Sequence, residues 1–268
     1  MYDNGNVPEL VAILSPKTGK KYHQVISKAC PPGPRLAILI DVSLGRLQRV
    51  GDDEVFRHGK DWRHWLAGRV ELFHPGTSNP SLRQLVVIVN HWTSMMMGRR
   101  DTMASREILA WEVGSWMCSK DKSGLQVVVD DRGHAIPVHR QPSVAMGDFN
   151  CEPGSPELRS ARKFTLQAMR NEPSLWKTLK LEQDTHALLY DLSWRRLTAS
   201  PSAAIPGTYD WRDLHSPEML DRMLVSQALW NGADMRIALD DDAQAMRIVP
   251  AAKECSDHCA IAITVETK

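Results

Sequence analysis

Three short clusters place polar side chains directly beside apolar, strand-forming runs. They are Asn90-His91-Trp92-Thr93-Ser94 after Val89, Gly147-Asp148-Phe149-Asn150 after Ala145-Met146, and Ser256-Asp257-His258 between Cys255 and Cys259. A fourth segment, residues 220–226, sets Asp221 at the head of an apolar stretch. Together these segments supply three carboxylates, two amides and two imidazoles. Hard oxygen donors such as Asp148, Asn150 and Asp257 suit Mg²⁺ or Mn²⁺, which keep several waters and bind through few protein ligands. An imidazole backed by a carboxylate is held in one tautomer and can move a proton near neutral pH.

The elements that must position these groups are legible in the residue pattern. Strand-like runs of four to eight residues recur at 35–41, 69–72, 85–90, 126–129, 143–148, 219–226, 246–249 and 258–265, most of them bounded by Gly, Pro, Asn or Asp. The run Leu85-Val86-Val87-Ile88-Val89 is apolar without alternation, as expected of a strand buried on both faces. Helices are expected at 7–14, with Pro8 near its start and Pro16 beyond its end, at 100–118, and at 155–169. The last opens with Ser155-Pro156-Glu157, a cap residue followed by Pro at the first helical position. Strands interleaved with helices give an α/β layered domain. Residues 119–141 read as a hairpin insertion, and 1–268 as one domain.

Composition removes several classes of function. The chain has 268 residues, 43% hydrophobic and 24% charged, with a formal net charge of +1. It can bury a core, and it is neither a polybasic coat nor an acidic tail. No apolar run approaches the roughly 18 residues of a membrane span, and no secretory leader is visible at Met1. Five cysteines, an odd number thinly spread, point to reduced thiols and a cytoplasmic location. Zinc at Cys255, His258 and Cys259 is disfavoured, because no C-x-x-C pair completes a tetrahedral set. Neither G-x-S-x-G nor G-x-x-x-x-G-K-[ST] is present. Met95-Met96-Met97 reads as a loop on apolar surface. Arg99-Arg100 and Arg195-Arg196 read as solvated charge. Trp111 and Trp116 read as helix core, whereas Trp92 and Trp211, beside the motifs, are placed to stack on a base or sugar.

Asn90-His91-Trp92 with Ser94, Gly147-Asp148-Phe149-Asn150, Gly207-Thr208-Tyr209 with Trp211, Asp221 leading into Val225-Ser226, and Ser256-Asp257-His258 resemble, in order, the motifs of the endonuclease/exonuclease/phosphatase superfamily. The resemblance implies a four-layered α/β sandwich, two packed mixed β-sheets with helices outside, and cleavage of a phosphoester with Mg²⁺ or Mn²⁺. It implies that Asp257 is a metal ligand, that His258 contacts the scissile phosphate and that Asp221 orients His258. Asp148 and Asn150 would position water, phosphate or a metal, and His91 would stabilise phosphate charge. Arg35, Asn90, Trp92, Ser94 and Thr208 fall where the substrate would be held.

The family's opening strand–helix–strand unit, with its Asn and metal-binding Glu, has no counterpart before Val7-Pro8-Glu9, so the resemblance places the chain as an N-terminally truncated domain. Three activities follow from the resemblance. A Mg²⁺-dependent phosphodiesterase or nuclease leads; a phosphomonoesterase on a small phosphorylated molecule and an inactive phosphate-binding module remain beside it. The expected partner is a nucleic acid or a small phosphoester, with no membrane involved.

Overall fold

The computed structural model describes residues 7–27, 36–52, 56–58, 61–95, 98–119, 134–176, 185–198, 208–211, 216–239, 245–249 and 258–267. Helix α1 (Val7–Thr18) precedes the antiparallel pair β1 (Tyr22–Ile26) and β2 (Ala37–Asp41), then β3 (Gly45–Asp52), β4 (Phe56–His58), β5 (Asp61–Phe73) and β6 (Pro80–His91). The long helix α2 (Arg99–Cys118) leads to β7 (Ser143–Asp148), β8 (Leu166–Met169), β9 (Ala187–Asp191) and the short helix α3 (Ser193–Thr198). After these come β10 (Tyr209–Trp211), β11 (Ser216–Glu218), β12 (Asp221–Val225) and α4 (Gln227–Trp230). Four short strands complete the chain: β13 (Met235–Ala238), β14 (Arg247–Val249), β15 (Ala260–Ala262) and β16 (Thr264–Thr267).

One mixed sheet organises the molecule, in the order β3-β5-β6-β7-β12-β9-β8, with β4 paired to β5. β6 and β7 are parallel, as are β8 and β9; the other pairs of the sheet are antiparallel. Alternation along each strand divides the side chains between two cores. Val86, Ile88, Ala145, Leu189 and Leu224 pack toward α2. Val87, Val144, Met223 and Val225 pack on the other face, against Ile38 of β2, Ile237 of β13 and Met246. Ile248, Ile261 and Val265 join this second core, so β1–β2, β13–β16 and β14–β15 form the second β-layer as separate two-stranded pieces. Continuous burial of β6 on both faces explains its unbroken apolar run.

Helix α2 covers the first face through Thr102, Ser105, Arg106, Leu109, Ala110, Val113, Gly114 and Met117, a 3–4 spacing. Gly114 is required by distance: a Cβ there would stand 2.1 Å from the backbone nitrogen of Leu166 on β8. Trp116 is half-buried and packs against the core beneath α2, whereas Trp111 is half-buried outside it. Arg162 lies over the Trp111 ring, and Trp116 tilts onto Trp65 at 5.1 Å.

The helix expected at 155–169 does not form. Pro156–Leu158 makes one 3-10 turn, the chain passes through Phe164 at φ 61, and Leu166–Met169 becomes β8. Leu166 and Ala168 alternate inward on that strand, a period-2 pattern within a stretch too short to separate from a helix by composition. Helix α1 runs on through Pro16 to Thr18, whose hydroxyl donates to Leu14 O. The strand expected at 126–129 lies outside the described residues. Of the expected hairpin at 119–141, the described part holds a 3-10 turn at Val138–Arg140.

Candidate active site

β6, β7 and β12 bring three of the sequence motifs into one row. His91 stands opposite Asp148, and Asp148 opposite Asp221. Counting back by twos, His91 shares a face with Val89 and Val87, Asp148 with Met146 and Val144, and Asp221 with Met223 and Val225. All three therefore face the second β-layer, at the open end of the sheet.

The second layer contributes His258, just before β15. Its Nδ1–H donates to Asp221 Oδ2 at 2.7 Å, which fixes the tautomer and leaves Nε2 for other chemistry. The Tyr209 ring packs against this imidazole with centroids 4.7 Å apart, and Cys259 N–H donates to Thr208 O. His91 Nε2 approaches Asp148 Oδ2 at 3.7 Å. Each of the four side chains is partly open to solvent, between 15% and 30%.

Asp148 is held by its own loop. The Asn150 backbone N–H donates to Oδ1 at 2.8 Å and its side-chain amide to Oδ2 at 2.7 Å. The same amide donates to Trp92 O at 3.0 Å, and Trp92 N–H donates to Asp148 O. Asn150 adopts φ 48, a left-handed conformation that Asn tolerates. Gly147 sits at φ 122, where a Cβ would stand 2.1 Å from Asn90 O on the parallel neighbour β6. Burial pushes the Asp148 carboxyl up to about 6, and the nearby Asp221 charge adds to the rise. The Asn150 hydrogen bonds and His258 draw it partly back.

Three residues placed by sequence at the substrate turn out to be braces. Trp92 is fully buried, its ring edge-on to Phe149 at 4.9 Å, so no base can stack on it. Asn90 points to the α2 side: its Oδ1 accepts from Trp92 Nε1 and its amide donates to Met146 O. Thr208 is buried, and its Oγ1 accepts the backbone N–H groups of Leu220 and Asp221 at 3.0 and 2.8 Å, pinning the start of β12. Ser94 is half-buried in the loop after β6. Arg35 and Asp257 lie outside the described residues, and Trp211 is described in its backbone as part of β10.

Sequence reading missed Arg222 and Asp191. Arg222 is fully buried; its guanidinium pairs with Asp191 at 2.7 Å and donates to Cys151 O and Glu152 O. It thereby anchors the loop that carries Asn150. The one available signal is an Asp–Arg dipeptide at a strand head, where alternation must send the two side chains to opposite faces. Arg106 of α2 does the equivalent on the same side of the sheet, bonding Glu157, Thr102, Thr93 O and Arg99 O.

His91, Asp148 and Asp221 thus form a row under His258 at one end of the sheet. The chain belongs to the endonuclease/exonuclease/phosphatase family, whose model matches residues 28–258. Among solved structures, D. rerio TDP2 humanized by 14 mutations superposes with a TM-score of 0.52 at 15% identity, over 97% of this chain and 81% of that one. Truncated Caenorhabditis elegans TDP2 gives 0.49 at 12% identity, over 94% and 77%. The catalytic domain of human Nocturnin gives 0.47 at 16%, over 97% and 76%. At these identities the likeness is one of fold. No curated protein matches the chain by sequence. Among the described residues, no helix is long and apolar enough to cross a membrane.

Proposed function

We propose that this protein is a divalent-cation-dependent phosphodiesterase of the nuclease kind. The observation that supports it most is the 2.7 Å bond from His258 to Asp221, made where Asp148 and His91 meet on the same sheet end. Asp221 keeps His258 oriented, so that Nε2 of the imidazolium can donate to a phosphoryl oxygen as charge develops there. His91, beside Asp148, offers a second donor to the same phosphate. Asp148, oriented by Asn150, serves as the acceptor that positions the attacking water.

The donor chemistry fits a hard cation. Asp148 is a carboxylate that burial and a neighbouring carboxylate make costly to ionise, and a positive charge beside it offsets both effects. Among the described residues no group of three His, Cys, Asp or Glu side chains has metal-holding geometry. Mg²⁺ or Mn²⁺ needs only one or two protein carboxylates, and Asp148 and Asp257 are the residues that would hold it. Such an ion, when bound, polarises the phosphoryl oxygen as a Lewis acid.

The test uses two chromogenic substrates, bis(4-nitrophenyl) phosphate and 4-nitrophenyl phosphate, with Mg²⁺, Mn²⁺ or EDTA. Diester hydrolysis that EDTA abolishes is expected. Full activity in EDTA overturns the metal assignment, and turnover of the monoester alone overturns the diesterase.

A further inference from the structure

The segment from Arg159 to Arg170 reads Arg-Ser-Ala-Arg-Lys-Phe-Thr-Leu-Gln-Ala-Met-Arg, with four cations and no acid. It lines the flank of the molecule where β8, last in the sheet order, meets α2. Arg159, Arg162, Lys163 and Arg170 are all exposed, and none pairs with a carboxylate among the described residues. Surface arginines without partners usually wave in water. Here two of them sit over indoles: Arg162 at 4.4 Å from the centre of the Trp111 ring and Arg170 at 5.1 Å from that of Trp194. Stacking on a half-buried ring fixes the guanidinium plane while leaving its N–H edge for an anion.

Phe164 falls between them along the chain. Its side chain is 44% exposed and its backbone is left-handed at φ 61, a conformation that is costly for an aromatic residue. The Phe164 N–H is tied down by donation to Thr185 O, so the ring is presented on a fixed backbone. Rigid cations alternating with an exposed aromatic face match a polyanion with a stacking group at each unit. A single nucleic-acid strand has that chemistry: phosphates for the arginines and unstacked bases for the ring. A duplex would offer phosphates alone.

The flank is continuous with the candidate active site. The Trp194 ring that carries Arg170 lies against Gly154, which follows Asn150 in the same loop. Gln167 Nε2 donates to Ser160 O, which ties β8 to the segment descending from that loop. A strand held along this flank would reach Asp148 and His258 by passing Trp194 and turning round the end of the sheet that carries this loop.

We propose that the α2–β8 flank is a holding surface for single-stranded nucleic acid. It gives the phosphodiesterase reading its substrate class and rests on that reading only for the link to cleavage.

Binding is measured in EDTA by fluorescence anisotropy, with a 12-nucleotide oligo-dT, an abasic strand of equal length, a hairpin duplex and phosphatidylcholine/phosphatidylserine vesicles. The unaltered chain should bind oligo-dT more tightly than the duplex. Arg162→Ala/Lys163→Ala/Arg170→Ala should weaken oligo-dT binding at least tenfold and flatten the log Kd against log salt slope by about 2, at roughly 0.7 per phosphate contact. Phe164→Ala should weaken oligo-dT binding by about five- to a hundredfold, with little change for the abasic strand. Lys163→Glu, at an exposed position with no side-chain bond among the described residues, repeats the charge test if the triple variant melts early.

Unchanged oligo-dT binding in well-folded triple and Lys163→Glu variants overturns the surface. Tighter duplex than single-strand binding, or binding of vesicles in its place, overturns the class of partner. Hydrolysis of bis(4-nitrophenyl) phosphate by the unaltered chain reports on the phosphodiesterase reading separately, so either can fail without the other.

Discussion

Asp221 and Arg222 are adjacent in sequence and sit in opposite electrostatic environments. Arg222 turns toward α2, where it meets Asp191 at 2.7 Å with both side chains fully buried. Asp221 turns toward the second β-layer, where it stays 15% exposed and meets an imidazole in place of a guanidinium. The pattern extends across the sheet. On the α2 side, Glu157 is likewise neutralised by Arg106 at 2.7 Å. On the other side Asp148 has no arginine among the described residues, and its carboxyl is pushed up to about 6. One face spends its carboxylates on permanent charge neutralisation, which holds loops in place. The other keeps Asp148, a carboxylate whose charge depends on what binds. Strand alternation keeps the two sets apart even between neighbouring residues.

The comparison breaks most visibly at the reactive face. His258→Ala should lower kcat/KM on a phosphodiester by about 10²–10⁴-fold while leaving the melting temperature nearly unchanged, because the ring is partly exposed and supports no core. Asp221→Asn should produce most of the same loss. If both variants retain full rate, His258 takes no part in proton movement.

The structural face should respond in the opposite sense. Arg222→Met leaves Asp191 buried without a cation and should cost about 3–5 kcal/mol in chemical denaturation. The double variant Arg222→Met/Asp191→Leu should recover a large share of that, since a buried ion pair is often no better than apolar packing. A double variant as unstable as the single one would mean that the bonds to Cys151 O and Glu152 O, not charge neutralisation, dominate.

Thr208 lies between the two cases: a buried hydroxyl that serves the reactive face through the backbone. Thr208→Val removes the acceptor from two N–H groups and should cost about 1–3 kcal/mol. Its activity should fall only as far as Asp221 moves, and an unaltered melting curve would show that those N–H groups find water instead.

These roles were unequally legible in the sequence. Asp148, Asp221, His91 and His258 could be picked out because polar residues at the end of apolar strands are unusual, and the structure brings these four to one sheet end. Their supports could not be separated from them. Asn90, Trp92 and Thr208 sit within or beside the same motifs, and only the facing of each side chain tells brace from contact. Asp191 was missed because Ala187–Asp191 is buried at every position, and its short apolar part does not tell a strand from a helix by composition. The helix expected at 155–169 failed for a related reason: an N-cap signal is local, and it cannot report that Gly114 lets β8 approach α2 at backbone distance. Face and approach are properties of pairs of elements, which composition along one chain does not encode.

The smallest expected effect concerns the protonation of Asp148. Its carboxyl rises from 3.8 to about 6 on folding, through burial first and the Asp221 charge second. Between those values the folded state binds more protons than the unfolded one, so stability falls as pH rises from about 4 to 6, and the loss is complete above that. A two-unit rise would correspond to roughly 3 kcal/mol in full. With 16% of the side chain in water, about 1–2 kcal/mol is expected. Asp148→Asn removes the titrating group while keeping its shape. In EDTA at pH 7 this variant should melt a few degrees above the parent, and the difference should vanish near pH 4, while diester hydrolysis is lost. Saturating Mg²⁺ should narrow the gap at pH 7 by raising the parent alone, because the ion neutralises the carboxylate that the variant lacks. Thermal melts of both proteins from pH 4 to 7, with and without Mg²⁺, check all of this. Parallel curves for parent and variant would place the ionised Asp148 in an environment as comfortable as water and remove the contrast between the two faces of the sheet.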